Sequence, residues 1–281
     1  MSALHRAVPA AVLLAALTST PVLPIATAAA QQAPMELVVN IPAGRLDVFQ
    51  GGARVKSYPV SVGRSRYATP TGQAAIRRMV WNPTWTPPPD AAWARNEKPA
   101  GPGWGNPMGR VKMHLFGDYY VHGTPASNER HLGRPASHGC IRMRNQDVME
   151  LARLVLQADG APVAESTISR LAANPRATRE LALGGRVRVR IEYRLAEVGA
   201  DSVTLHPDVY GRAARGYAAR VRDELGAAGA DPVAVLAGLD VNRSPEASLS
   251  VARQQDVLLA RSAPVAVETV TLASDSPLLP R

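Results

Sequence analysis

Residues 119–143 read YYVHGTPASNERHLGRPASHGCIRM and hold the only cysteine of the chain, Cys140, with His122 and His138 close to it in sequence. A thiol attacks well only as thiolate, so a nucleophilic cysteine needs a base or a positive field beside it. Histidine supplies a base near neutral pH. Gly139 lets the backbone come close, so that amides around Cys140 can aim at a developing oxyanion. Other readings stay open on these residues alone. A single cysteine also packs as a small hydrophobe, and a single histidine also sits satisfied in a core or on a surface. His122, His138 and Cys140 could together serve as zinc ligands, although His-x-Cys is not a common ligand spacing.

Outward from this stretch the pattern is that of strands. MELVVNIPAGRLDVF (35–49) reads as two strands around a Pro-Ala-Gly turn, and VKSYPVSV (55–62) as a third, with Pro59 marking an edge. Val111–Phe116 and Tyr119–His122 are strand-like. Residues 145–156 carry Val148, Leu151, Leu154 and Val155 at helical spacing. An alanine-rich stretch at 163–183 reads as a helical insertion, VRVRIEYRL (187–195) returns to strand, and Ser202–Leu205 is expected to pair with it. The long segment 81–107 is rich in Pro, Gly and Trp, a composition expected of a functional loop rather than a linker. These signals predict a mainly β domain over 35–206 with inserted helices, then a helical or partly disordered segment over 207–281.

Residues 1–30 combine a basic start, an apolar stretch at 10–17 and an Ala-rich end at 28–30, the pattern of a cleaved secretory signal. The apolar stretch is too short to span a bilayer and is followed by Pro21 and Pro24. One cysteine excludes an intrachain disulfide. A net charge of +9 with only 5% aromatic residues points, in an exported chain, to acidic wall polymers or membrane surfaces rather than to nucleic acid.

The run His122-Gly123-Thr124 followed by Ser137-His138-Gly139-Cys140-Ile141-Arg142 resembles the signature of the L,D-transpeptidases, the YkuD-domain family. VVNIPAGRLDVF, YPVSVGRSRYATPTG, NPTWTPPP, NPMG and VTLHPDVY are similar to stretches of its periplasmic, ErfK/YbiS-like branch, so the likeness covers about residues 35–210. The resemblance implies a β-sandwich-like fold and a cysteine-dependent acyltransferase. In that reading Cys140 is the nucleophile and His122 the general base, its ring oriented by a backbone carbonyl. Backbone amides of Gly139 and Cys140 form the oxyanion hole, and Ser137, His138 and Gly123 shape the pocket. Many family members carry asparagine where this chain has Arg142, which the periplasmic branch often shares; its role lies between binding an acidic group of the stem peptide and structure.

The implied reaction is attack on the peptidoglycan tetrapeptide stem, release of D-Ala, and transfer of the acyl group to an amine. That amine belongs to a second stem, giving a 3→3 cross-link, or to an outer-membrane lipoprotein; water instead would make the protein an L,D-carboxypeptidase. No cofactor, metal or nucleic acid is implied, and a periplasmic monomer is expected, without a LysM-like wall-binding module. A papain-like or NlpC/P60-type hydrolase fits less well, because there the cysteine precedes its histidine. A non-catalytic peptidoglycan-binding protein could dispense with His122, Gly139 or Cys140, and this chain keeps all three.

Overall fold

In the computed structural model the described residues are 33–199, 202–213, 216–237 and 268–271. The secretory signal expected over 1–30 lies outside them. The first strands are β1 (Met35–Asn40), β2 (Arg45–Gln50), β3 (Ala53–Pro59), β4 (Val62–Gly63), β5 (Gly72–Ala75) and β6 (Arg78–Trp81). After the long loop come β7 (Val111–Phe116), β8 (Tyr119–Thr124), β9 (Pro135–Ser137) and β10 (Ile141–Arg144). Helices α1 (Asn145–Asp159) and α2 (Glu165–Ala173) precede β11 (Arg179–Ala182), β12 (Arg188–Glu192), β13 (Ala196–Val198) and β14 (Ser202–Leu205). The described chain ends with α3 (Tyr217–Ala227), α4 (Pro232–Ala237) and β15 (Glu268–Thr271).

The protein is mainly β. One five-stranded sheet has the order β3-β2-β1-β12-β5 and the other β10-β8-β7-β6-β11. Alternation along the strands builds the core between them: Leu37, Val39, Leu46, Val48, Val189 and Ile191 from the first sheet meet Met79, Val111, Met113, Val121, Ile141 and Met143 from the second. α1 packs on β7, β8 and β10 and adds Val148, Leu151 and Val155 to the same cluster. Its apolar spacing is the one read from sequence. Among the described residues no helix is long and apolar enough to cross a membrane.

Two local expectations are corrected. The stretch 163–183 is not helical throughout: α2 stops at Ala173, and β11 then pairs antiparallel with β6, Leu181 opposite Met79. Pro175 follows that stop, and the alternation that buries Leu181 takes over. β14 does not join β12, whose two edges are already taken by β1 and β5; it pairs with β13 and β15. The segment after β14 is not a loose appendage where it is described. Val221 and Leu225 of α3 are fully buried in the core cluster, and Glu224 Oε2 accepts the Leu195 and Ala196 amides at 2.7 and 2.9 Å.

The end of α2 is closed by two residues that sequence patterning did not single out. Asn82, at φ +49°, donates its amide to the carbonyls of Leu171, Asn174 and Ala177 at 2.8–3.0 Å. Its Oδ1 accepts from Arg110 Nε at 2.7 Å, and Arg110 Nη2 donates to Leu171 and Ala172 carbonyls, both at 2.9 Å. Arg110 is wholly buried. Its charge is met by the helix C-terminus, whose partial negative charge suits a cation. Burial pulls its pKa down.

Replacing Asn82 with Ala strands those carbonyls and puts a Cβ-bearing residue without side-chain compensation in the left-handed region. The expected loss is roughly 2–4 kcal/mol, read from the urea midpoint. Asn82→Gly removes the same bonds but not the conformational freedom, so it should lose measurably less. Equal midpoints for the two variants would exclude the backbone contribution.

Candidate active site

The site is laid out by two pairings of β8. β7 places Lys112 opposite His122, and β10, parallel to β8, places Arg142 opposite His122. Residues opposite one another share a face, so Lys112, His122 and Arg142 form one row pointing away from the core side chains Met113, Val121 and Ile141. Cys140 precedes Ile141 and, by the same alternation, lies on the His122 side next to Tyr120. The register therefore places Cys140, His122, Arg142 and Lys112 on one face of the sheet.

His122 is buried, 2% exposed, and its Nδ1 lies 2.6 Å from the Gly123 carbonyl. That contact makes Nδ1 the protonated nitrogen of the neutral ring and leaves the Nε2 lone pair as the basic position. Burial pushes the imidazole pKa down to about 3, with Arg142 and Lys112 acting the same way, while the carbonyls of Gly123 and Met108 oppose the shift. Gly123 leaves no room for a side chain, because a Cβ there would lie 2.2 Å from Asn145 Oδ1. The same Oδ1 accepts the Arg110 amide at 2.8 Å. Asn145, the first residue of α1, thus wedges the helix start against the carbonyl-bearing glycine.

Cys140 is half-buried and free. Its thiol donates to the Asp118 carbonyl at 3.4 Å. Burial raises the thiol pKa, and Asp118 adds to this; a backbone hydrogen bond from Tyr120 and the charges of Arg142 and Lys112 work against it. The resting pair is therefore a neutral thiol and a neutral imidazole among cations. Arg142 makes no ion pair among the described residues, and its Nε is buried without a hydrogen-bond partner. Burial lowers its pKa, and Arg64 lowers it further.

Ser137 is fully buried; its hydroxyl accepts the Gly139 amide at 3.0 Å and donates to the Cys140 carbonyl at 2.6 Å, closing the turn that carries the thiol. This corrects one expectation. The Gly139 N–H is engaged inside the turn by Ser137 Oγ, so it is not open to an incoming oxygen as the resemblance implied. Gly139 itself needs to be glycine, at φ +116° with Tyr119 Cε1 2.8 Å from where a Cβ would sit.

His138 is not part of the row. Its ring stacks on Trp93 at 4.1 Å and meets Tyr67 edge-on at 4.9 Å, and its Nε2 faces the Arg64 guanidinium. Burial, Arg64 and Arg142 lower its pKa to about 4. Through Trp93 it moors the long loop. Trp93 is the tryptophan that reaches the site; Trp81 is buried, and Trp104 lies half exposed over the Arg110 guanidinium. Among the described residues no group of three or more His, Cys, Asp or Glu could hold a metal.

Thr69 and Tyr210 also reach the site, and sequence reading assigned neither. The Thr69 hydroxyl donates to the Gly139 carbonyl at 2.7 Å. Only the Thr within YATPTG and the aromatic end of VTLHPDVY hinted at them, through quoted likeness rather than chemistry.

Residues 34–179 match the YkuD family, described as the L,D-transpeptidase catalytic domain. YkuD of Bacillus subtilis is 32% identical over 123 residues, which cover 43% of this chain and 61% of that protein. ErfK/SrfK of Escherichia coli is 33% identical over 125 residues, covering 41% of this chain and 39% of that protein. YbiS of Escherichia coli is 34% identical over 122 residues, covering 40% and 39%. The chain thus spans less than two thirds of the length of these curated relatives. Among solved structures, L,D-transpeptidase 3 of Mycobacterium tuberculosis is 16% identical with a TM-score of 0.36, over 57% of this chain and 61% of that one.

The depressed His122 pKa has a signed consequence. The unfolded chain takes up the proton first, near pH 6.5, so the stability tied to neutral His122 is complete above that pH and is lost as pH falls from there towards about 3. With ¹⁵N-labelled histidine, His122 should keep the shifts of a neutral ring protonated at Nδ1 from about pH 7.5 to about pH 5, where an exposed histidine titrates. An imidazolium signal for His122 within that window would refute the burial argument.

Proposed function

Since the chain belongs to the YkuD family of L,D-transpeptidase catalytic domains, we propose that it is a peptidoglycan L,D-transpeptidase with Cys140 as nucleophile and His122 as base. The observation that carries this reading is the shared face of β8 and the start of β10, where a buried imidazole held at Nδ1 by the Gly123 carbonyl and the only thiol of the chain lie among cations. The thiol proton passes to His122 Nε2 as sulfur adds to the carbonyl that precedes D-Ala in the tetrapeptide stem. The carbonyl oxygen takes up the negative charge facing the Cys140 amide, the C–N bond breaks, and D-Ala leaves with the proton from His122. An acceptor amine then adds to the thioester, loses its proton to His122, and releases the thiol.

The cations serve this sequence of steps. Lys112 and Arg142 oppose the burial that holds the thiol neutral, so thiolate character is easier to reach once sulfur begins to bond. Arg142, unpaired among the described residues, suits a stem carboxylate, which a guanidinium can hold in a bidentate pair. The Trp93 loop, moored on His138, forms one wall of the groove for that peptide. The finer features belong to the same proposal: an exported, periplasmic catalytic domain over 35–206 acting as a monomer, with a second stem or an outer-membrane lipoprotein as acceptor.

Incubation with purified disaccharide-tetrapeptide, with products read by mass, tests the reading. A cross-linked dimer with loss of D-Ala is expected from the wild type, and none from Cys140→Ala at unchanged fold. A tripeptide alone would turn the assignment to an L,D-carboxypeptidase, and near-normal turnover by Cys140→Ala would end the proposed mechanism. Arg142→Lys should weaken an acidic donor by about 1–3 kcal/mol and a stem with that carboxylate amidated much less. Both donors can be titrated in the Cys140→Ala background; equal losses would make Arg142 a structural residue only.

A further inference from the structure

We propose that Tyr210, beyond the family-matched residues 34–179, is a positioning residue that fixes the peptide plane between Gly139 and Cys140. The proposal rests on the acyl-transfer reading above, since it concerns the amide that would face the oxyanion. Gly139 C=O and Cys140 N–H belong to one planar trans unit and point in opposite directions. Whatever holds the carbonyl therefore aims the amide. The carbonyl is held by the buried Thr69 hydroxyl at 2.7 Å, and that hydroxyl also accepts the Gly63 amide at 2.8 Å.

Thr69 and Gly63 are in turn held by one group. The Tyr210 hydroxyl donates to the Gly63 carbonyl at 2.7 Å and accepts the Thr69 amide at 3.1 Å. There is no slack between these pieces: a Cβ on Gly63 would lie 2.0 Å from the Tyr67 carbonyl oxygen and 3.0 Å from Gly139 Cα. Tyr210 is itself fixed from behind. Its amide donates to Tyr193 Oη at 2.7 Å, and the Tyr193 hydroxyl donates to buried Asp208. The two rings stack at 5.5 Å under the Arg212 guanidinium, which lies 4.9 and 5.1 Å from their centroids. A chain of direct contacts thus runs from Asp208 to the peptide bearing the nucleophile. It is needed because Gly139, at φ +116°, is free to adopt other backbone conformations and would let the plane turn.

The test separates acyl transfer, which develops an oxyanion, from alkylation, which does not. Acylation by p-nitrophenyl acetate forms the S–C bond at the ester carbonyl, sends the thiol proton to His122, and expels p-nitrophenolate. In alkylation by iodoacetamide the sulfur bonds to the methylene carbon as iodide leaves, the thiol proton again passing to His122, and no oxyanion forms. Tyr210→Phe and Thr69→Val should each slow acylation about 10-fold or more while alkylation stays within about 2-fold, with Cys140→Ala as the blank. Thr69→Ser, which keeps the hydroxyl, should restore acylation. Parallel falls in both reactions, unchanged acylation in Tyr210→Phe or in Thr69→Val, or no rescue by Thr69→Ser would overturn the proposal. Because the ester carries no stem peptide, failure of the transpeptidase reading would appear separately, as ester acylation without D-Ala release.

Discussion

The site depends on one register. β8 and β10 run parallel with Arg142 opposite His122, and a slip of a single residue would turn every side chain of β10 to the other face. Ile141 and Met143 would then leave the core while Cys140 and Arg142 entered it. The register is thus enforced by the burial of two large apolar residues, each worth roughly 1.5–3 kcal/mol, rather than by the polar groups themselves. Core packing and the aim of the thiol are one constraint, since the same strands serve both.

Within that frame the electrostatics are arranged around neutral resting groups. Burial penalises both an imidazolium and a thiolate, so the proton stays on sulfur, donated to the Asp118 carbonyl, until a reaction partner arrives. Lys112 and Arg142 counter the penalty for the thiolate and deepen it for the imidazolium. Those two effects oppose each other on a thiolate–imidazolium pair, so it is the burial of both groups that biases them away from a standing ion pair. The cations also give the pocket a sign, in keeping with a net charge of +9 over the chain.

Much of this was legible in the sequence, and the reasons for the remainder are physical. The strands of 35–49, 111–116 and 119–122 announce themselves by alternation, and α1 by its spacing. The conjunction of His122, Gly139 and Cys140 could be read because each residue type has few cheaper uses together. β11 was hidden because four residues of RELA fit a helix as well as a strand, and only pairing with β6 decides. β14 was misassigned because the sequence does not say which sheet edges are already occupied. Arg110 was invisible: a wholly buried guanidinium is rare, and its partners are carbonyls brought in by the fold from α2 and Asn82. The engagement of the Gly139 amide by Ser137 could not be foreseen either, because a turn's internal hydrogen bonds depend on its dihedral angles.

β10 is the last strand of its sheet, and such a strand would ordinarily offer a row of open amides and carbonyls to any other chain. Here Ser61 donates to the Arg142 carbonyl at 2.9 Å and accepts the Arg142 amide at 2.8 Å, and farther along Arg64 donates to the Ser137 carbonyl at 3.0 Å. The segment that carries Gly63 and Thr69 to the thiol-bearing turn therefore also blunts the edge against self-association. Loosening it to widen the pocket would expose backbone as well as space, and the first sign of such a change would be aggregation rather than altered selectivity.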